Sequence, residues 1–498
     1  MNIVMNRKIC FSEIVIVFAI DLIIFGTLIL YTGSLWSGFH LVDDHTVLSI
    51  SEMLRGMSII DVAKALTISE LGARFRPFYN ILLAVKTAFV GVDMFWWMLI
   101  SLIEGIASYI MLYAAVRYLG LNYFESFFFA TLILIGEQIT PWYRALNQEN
   151  TGVFILSILF FILCYAFCGE NKGLQKKAVF RFVVIFLAII LSLQKEAFVL
   201  LLPFWWLFII YLEVSFSNLE IKTAVKKNVD YLVVLVCVSL AEIILIMTVS
   251  SGGAATGYAG FSSSVAMKTY IKGIITSVRK SLWIYLILML VGIVLGFGLY
   301  KRAIKKADII LILISIGVMG SQLVLHARSR MWERYMHPFI WAWALFSLVF
   351  IFRILRNRKW AYYIYLFSCI VALGFASKSA YEHASKWAND GVQAKNLLCN
   401  IEELSSEDKL LTNTSWMEWN LAIAIYLNYY YPDGHVSITQ VEELGDTEEI
   451  DYSLYDVVLV EKKEWKSVSD DVKEQFELVD SYKISTKKLY YLKKIQRN

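Results

Sequence analysis

Runs of apolar residues long enough, or nearly so, to cross a bilayer core as helices recur from residue 12 to residue 377, separated by short polar connections. They occupy 12–32, 94–116, 123–140, 150–168, 179–194, 197–213, 231–250, 281–300, 308–325, 338–353 and 360–377. One more segment, RPFYNILLAVKTAFVG at 76–91, has a helical pattern that contains Lys86 and is too short to span. The first run follows Arg7 and Lys8 as a signal peptide would, but no small-residue cleavage site precedes Tyr31, so it reads as a retained helix. From Lys378 onward the pattern changes. KLLTNT (409–414), DVVLVE (456–461) and KKLYYLKK (487–494) read as strands, MEWNLAIAIYLNYY (417–430) as an amphipathic helix, and 431–434 as a turn. The expected fold is an all-α polytopic membrane bundle of about 11 transmembrane helices with an outer juxtamembrane helix over 1–377, then a small α/β soluble domain over 378–498.

Composition agrees with that pattern. Of the 498 residues 58% are hydrophobic and only 18% are charged, well below the usual quarter for a soluble domain. The six cysteines show neither a disulfide framework nor zinc-site spacing. The glycine-rich stretch 251–264 lacks the lysine of a phosphate-cradling loop and reads as a mobile outer loop. Asn413-Thr414-Ser415 is a formal glycosylation sequon. No nucleic-acid partner is expected; membrane lipid is.

The placement of the charges sets an orientation. With 76–91 not crossing and the N-terminus cytoplasmic, the connections holding Lys172, Lys176 and Lys177, Lys222, Lys226 and Lys227, Lys301, Arg302, Lys305 and Lys306, and Arg356, Arg358 and Lys359 all face the cytoplasm, as the positive-inside tendency requires. The other face then receives the loop 33–93, the connections 141–149 and 326–337, and the whole domain 378–498. All six histidines fall on that face. Chemistry is expected outside, on a protein of the cell membrane.

Five polar groups at that face are candidates. In HLVDDHTVL, Asp43 and Asp44 stand side by side; one of them would suffice to cap the helix that follows, whereas a pair suits a general base or the ligation of a divalent cation. Arg74 and Arg76 precede the juxtamembrane helix and fit either lipid headgroups or a substrate phosphate. Lys195 and Glu196 are either a salt-bridged turn or a phosphate contact with its supporting acid. HARSRMWERYMHP, 326–338, concentrates Arg328, Arg330, Arg334, Glu333 and His337 against the charge bias of the other connections, which points to an anion site. Glu149 opens a helix, where a negative charge is favourable in any case, or faces the first acids.

The order of these signals resembles the integral-membrane glycosyltransferases of the GT-C superfamily, closest to the protein O-mannosyltransferase and bacterial lipid-linked-sugar transferase branches. The residues that carry the resemblance are the acidic pair after the first span, the R-P-aromatic segment ending in Gly91, RYLG (117–120), the proline-tryptophan loop, KEAF and ERYMHP. It implies transfer of a sugar, with inversion, from a polyprenyl-phosphate donor to a glycan, lipid or protein acceptor on the outer face. By position it makes Asp43 the general base, with Asp44 assisting by orientation or cation binding. Arg74, Arg76, Lys195, Arg328, Arg330 and Arg334 become holders of the donor phosphate, supported by Glu149, Glu196, Glu333 and His337. This chain has Asp-Asp followed by His where many relatives have Asp-Glu. Two rivals compete. Asp21, Glu104 and Glu242 inside apolar runs suit a lipid-linked glycan flippase or ion-coupled transporter, and many spans with outer arginines also suit a glycan polymerase or ligase.

Overall fold

The computed structural model describes residues 9–71, 74–169, 173–217, 219–249, 266–297, 299, 304–414, 416–431, 437–441 and 450–495. The glycine-rich stretch 251–264, the turn residues 432–434, Ser415 of the sequon, and Lys172, Lys301, Arg302 and His435 lie outside them. In chain order the helices are α1 (Phe11–Tyr31), α2 (His45–Gly56), α3 (Ile59–Glu70), α4 (Pro77–Val90), α5 (Met94–Tyr118), α6 (Tyr123–Leu134), α7 (Gln148–Cys168), α8 (Ala178–Ser192), α9 (Glu196–Phe216), α10 (Val229–Val249), α11 (Met267–Gly296), α12 (Lys306–Leu325), α13 (His337–Leu355), α14 (Lys359–Glu402) and α15 (Met417–Tyr430). Among the described residues nine of these, α1, α5, α7 and α9 to α14, are long and apolar enough to cross a membrane. The segment expected to lie alongside the bilayer is α4, of 14 residues.

Two expected spans are shorter than the sequence suggests. The run 179–194 forms α8, of 15 residues. The run 123–140 ends as a helix at Leu134, because Gly136 takes a φ of 152° that a side chain would not tolerate. The Gln138 amide then donates to the Leu132 and Ile133 carbonyls, 2.9 Å each, satisfying the helix end that Gly136 cuts off.

The chain divides into two compact units. The first gathers Met1–Leu28, Ala63–Ile81 and Ile100–His383. Its centre is α13, whose Trp341 packs against Trp205 and Phe160 with ring centroids 5.1 and 5.7 Å apart. At one end of this bundle buried or half-buried carboxylates meet basic side chains from neighbouring helices. Glu13 at the start of α1 binds Arg117 at the end of α5, with Nε to Oε1 2.6 Å. Glu125 of α6 binds Arg356, Asp308 of α12 binds Arg353, Glu213 of α9 binds Lys227, and Asp230 of α10 binds Arg181 of α8. Glu125 and Asp308 also accept the backbone amides of Asn122 and Lys305 and so close the first turns of their own helices.

The second unit gathers Ile29–Val62, Leu82–Leu99 and Ala384–Asn498. Its sheet runs β2 (Ser437–Gln440), β1 (Lys409–Asn413), β3 (Val457–Glu461), β5 (Lys487–Lys494), β4 (Phe476–Ile484) across its width. Strand β1 is parallel to β2 and β3, and β5 is antiparallel to β3 and β4. Strands β1, β3 and β5 and helix α15 match the expectation. Strands β2 and β4 were not expected: β4 is an edge strand exposed along most of its middle, so its sequence lacks a clean alternation. One face of the sheet packs Leu410, Val457, Leu459 and Leu489 under Trp419, Ile423 and Leu427 of α15. Leu397, Leu398 and Ile401 from the end of α14, and Leu41 from the first connection, complete that core. The boundary expected at 377/378 falls inside α14, which runs on unbroken to Glu402 because Ala380, Ala384, Ala388, Ala394 and Leu398 keep a helical spacing of buried positions.

Candidate functional site

In the second unit the chain turns sharply at the acidic pair. Asp43 has a φ of 67°, the left-handed region, which aspartate tolerates better than most side chains. Its amide donates to Glu418 Oε1 of α15 at 2.8 Å, and its carbonyl accepts from Thr46 N at 3.0 Å. Asp44 stands at the N-cap of α2 but its carboxylate does not cap the helix. It turns back and is buried, its Oδ2 accepting the His40 amide at 2.9 Å and lying 3.3 Å from His40 Nδ1. The His40 ring is in turn stacked on Trp387, with centroids 4.1 Å apart, and its Nε2 lies 3.1 Å from the Trp387 carbonyl. Gly391 makes room: a Cβ there would come within 2.6 Å of His40 Nε2 and 2.4 Å of the Ser37 carbonyl. The two acids thus differ in kind. Asp44 is locked into the scaffold, while Asp43 is half-buried and is held through its backbone, which leaves the chemistry of its carboxylate to other contacts. Beside them burial pushes His45 below its ordinary range, and the two carboxylates only partly oppose this.

No three His, Cys, Asp or Glu side chains among the described residues converge as a metal cage. A divalent cation at Asp43 and Asp44 would therefore take most of its oxygen shell from substrate or water.

In the first unit the end opposite the carboxylate pairs collects cations. Arg76 forms a fork with Glu70, Nε to Oε2 2.9 Å and Nη2 to Oε1, and its Nη1 donates to Gln148 at the start of α7. Asn80 supports the same Glu70 carboxylate at 3.0 Å. Burial pushes Glu70 up, yet Arg76 and Asn80 outweigh it and hold the acid below its usual range. Glu149, next to Gln148, binds the buried ammonium of Lys195, which also lies 3.6 Å from the centroid of the Tyr335 ring. Burial pulls Lys195 down to about 7, with Glu149 opposing and Arg334 reinforcing the shift. Arg334 lies over Tyr335 at 5.1 Å, and His326 stacks on that ring with centroids 5.1 Å apart. Burial and the nearby Lys195 push His326 down to about 3, so its ring is neutral at physiological pH. Arg74 and Glu196 act on this group electrostatically, Arg74 on Tyr335 and Glu196 on Lys195.

The other expected residues of 326–338 are not all in this cluster. Arg330 pairs with Glu333 at 3.0 Å and lies over Trp332 at 3.9 Å. Glu137 beside them is raised by burial, which Ser379, donating at 2.9 Å, partly offsets. His337 is buried with Nε2 3.0 Å from the Gln138 carbonyl, so it belongs to the closure of α6. Arg328 is half-buried on the connection from α12 to α13. The structure thus brings together Arg74, Arg76, Lys195, Arg334, Glu149 and Glu196. Sequence reasoning did not single out Glu70, Gln148, Tyr335, His40 or Glu418 as partners. Only the spacing of Glu70 six residues before Arg76 offered a signal.

No family model and no curated protein sequence matches the chain. Among solved structures, the crystal structure of ArnT from Cupriavidus metallidurans in the apo state is similar over 96% of this chain and 98% of that chain, with a TM-score of 0.50 and 11% sequence identity. The crystal structure of ArnT from the same organism bound to undecaprenyl phosphate is similar over 97% of this chain and 98% of that chain, with a TM-score of 0.48 and 10% identity. The chain therefore shares its fold with ArnT in the apo state.

Proposed function

We propose that this chain is a membrane glycosyltransferase that moves a sugar, with inversion, from a polyprenyl-phosphate donor to a glycan, lipid or protein acceptor on the outer face of the cell membrane. The observation that carries the reading is the buried ammonium of Lys195, held by Glu149 and Tyr335 in company with Arg76 and Arg334. Burying so many cations at one end of a bundle is costly unless an anion is to be met there. A phosphate that leaves with the electrons of the glycosidic bond is such an anion, and it gains most charge as that bond breaks. Lys195, Arg334 and Arg74 stabilise it; Arg76 keeps guanidinium hydrogens beyond those given to Glu70 and Gln148 and joins them. Asp43 takes the proton of the acceptor hydroxyl as that oxygen attacks the anomeric carbon, and Asp44 holds the turn that presents it. The N-terminus is cytoplasmic in this reading, on the charge asymmetry of the connections.

The test uses purified protein in lipid nanodiscs with radiolabelled polyprenyl-phosphate sugars. Wild type transfers label, and Asp43→Asn lowers kcat by about 10²–10⁴, the usual worth of a positioned base. Asparagine also tolerates the left-handed backbone, so the variant removes the base without removing the turn. Full activity in Asp43→Asn with an unaltered melting profile overturns the role of Asp43. A polymerase or ligase would have its essential acid elsewhere than the first loop, and the same variant separates it. For a transporter, Asp21, Glu104 and Glu242 would be the working acids. Two of them accept hydrogen bonds that join neighbouring helices, Glu104 from Thr151 at 3.1 Å and Glu242 from Ser192 at 2.8 Å, while the buried Asp21 carboxylate has no hydrogen-bond partner among the described residues.

A further inference from the structure

Next to Lys195 lies a set of buried polar atoms with no hydrogen-bond partner among the described residues. Glu149 gives one oxygen to Lys195 and keeps Oε2. Gln194, the residue before Lys195, has neither amide atom engaged. Gln322 donates through Nε2 to the Ala197 carbonyl at 2.8 Å, which fixes its orientation and leaves Oε1 as the unengaged atom. His326, one turn further along α12, has neither ring nitrogen engaged. All four side chains are buried, Gln194 and Gln322 completely and Glu149 and His326 to within 5%. They are linked through Lys195, which binds Glu149, shares the Tyr335 ring with His326 and leads into the Ala197 carbonyl that Gln322 holds.

The chemistry of the set is specific. Glu149 Oε2, Gln194 Oε1 and Gln322 Oε1 accept; Gln194 Nε2 and the single N–H of the neutral His326 ring donate. A phosphodiester offers only acceptors and would leave the carboxylate and carbonyl oxygens unmatched. A hydroxyl both donates and accepts, so several neighbouring hydroxyls match a mixed set. Resting on the transferase reading above, we infer that Gln194, Gln322, His326 and the second oxygen of Glu149 bind the hydroxyl groups of the donor's sugar, beside the cations that take its phosphate. These residues therefore decide which polyhydroxylated sugar is accepted.

The experiment measures binding alone, by calorimetry on the full-length protein in detergent, with short-chain polyprenyl-phosphate glucose, mannose, galactose and arabinose. The reference is the methyl diester of the same polyprenyl phosphate, equal in charge but without hydroxyls. At least one sugar lipid is expected to bind about tenfold or more tighter than the methyl diester, as two or more net hydrogen bonds would give. Gln322→Leu and His326→Phe, both of similar volume, are expected to bring that ratio to within about twofold while the methyl diester binds as before. Sugar lipids that bind no better than the methyl diester, or variants that weaken all lipids alike, overturn the inference and leave the phosphate reading standing. If none of the lipids binds wild type, the polyprenyl-phosphate reading falls, and this inference with it. Variant melting profiles matching wild type confirm that the comparison is between folded proteins.

Discussion

The two ends of the first unit treat buried charge in opposite ways. At one end Glu13, Glu125, Glu213 and Asp308 each take a guanidinium or ammonium from a neighbouring helix, two of them also cap their own helix, and of their carboxylate oxygens only Glu213 Oε2 is buried without a partner among the described residues. At the other, Lys195 has Glu149, but Glu149 keeps an unengaged oxygen and Gln194, Gln322 and His326 hold polar atoms that nothing among the described residues matches. An orphaned buried polar group costs about 1–3 kcal/mol, so such a concentration opposes folding. A structural role would favour the first arrangement everywhere. On the proposed reading, dense pairing marks where the helices are fastened, and the concentration of unengaged atoms around Lys195 marks where the donor would bind.

Substitutions at four positions separate the ends. Lys195→Ala should lower kcat/KM for the donor by about 10³, as loss of a group that meets developing charge does, and should lower the melting temperature as well, because the buried Glu149 carboxylate loses its partner. Steady-state transfer and calorimetry on one preparation check both halves. The same lysine gives a pH dependence. With its proton held to about 7 in the folded protein, the cationic form is lost as pH rises through that value, so kcat/KM should fall on the alkaline side. Between about 7 and the ordinary lysine range the unfolded chain holds a proton that the folded one has released, so this group makes stability rise with pH while activity declines. Lys195→Arg should remove the alkaline limb of the profile.

Glu13→Ala, at the fastened end, should instead cost about 3 kcal/mol of stability by stranding the buried Arg117, with turnover per folded molecule unchanged. Denaturant titration reads it, and a drop in turnover with stability intact would contradict the division. Glu70→Gln should raise KM about tenfold by loosening the fork that aims Arg76, with a smaller change in kcat. The smallest effect belongs to Arg181→Ala, which breaks a pair with the half-buried Asp230 and should cost under about 1 kcal/mol.

Much of this was legible in the sequence because it rests on periodicity. Spans, the amphipathic α15 and the strands β1, β3 and β5 follow from apolar spacing that local residues decide. The ends of elements were less legible. Whether 123–140 continues as helix depends on Gly136 and on a glutamine that reaches back to cap it, and α14 outruns its apolar segment because alanines at helical spacing replace large residues. The charged residues of the candidate site could be read off as residue types in outward-facing connections. Their partners could not, since Glu70, Gln148, Tyr335 and Glu418 are ordinary until the fold sets them beside Arg76, Lys195 and Asp43. Nor could the sequence reveal that Asp43 and Asp44 differ, which a left-handed backbone and the return of one carboxylate to His40 decide.

The acidic turn has a consequence for the making of the protein. Residues 40–44 leave the ribosome long before the groups that clasp them, the Trp387 carbonyl 347 residues after His40 and the Glu418 carboxylate 375 residues after Asp43. Until then the first connection has no template for its shape. A nascent or truncated product that ends with α13 would lack α14 and have an unset acidic turn, so maturation of that turn waits for the segments that carry Trp387 and Glu418.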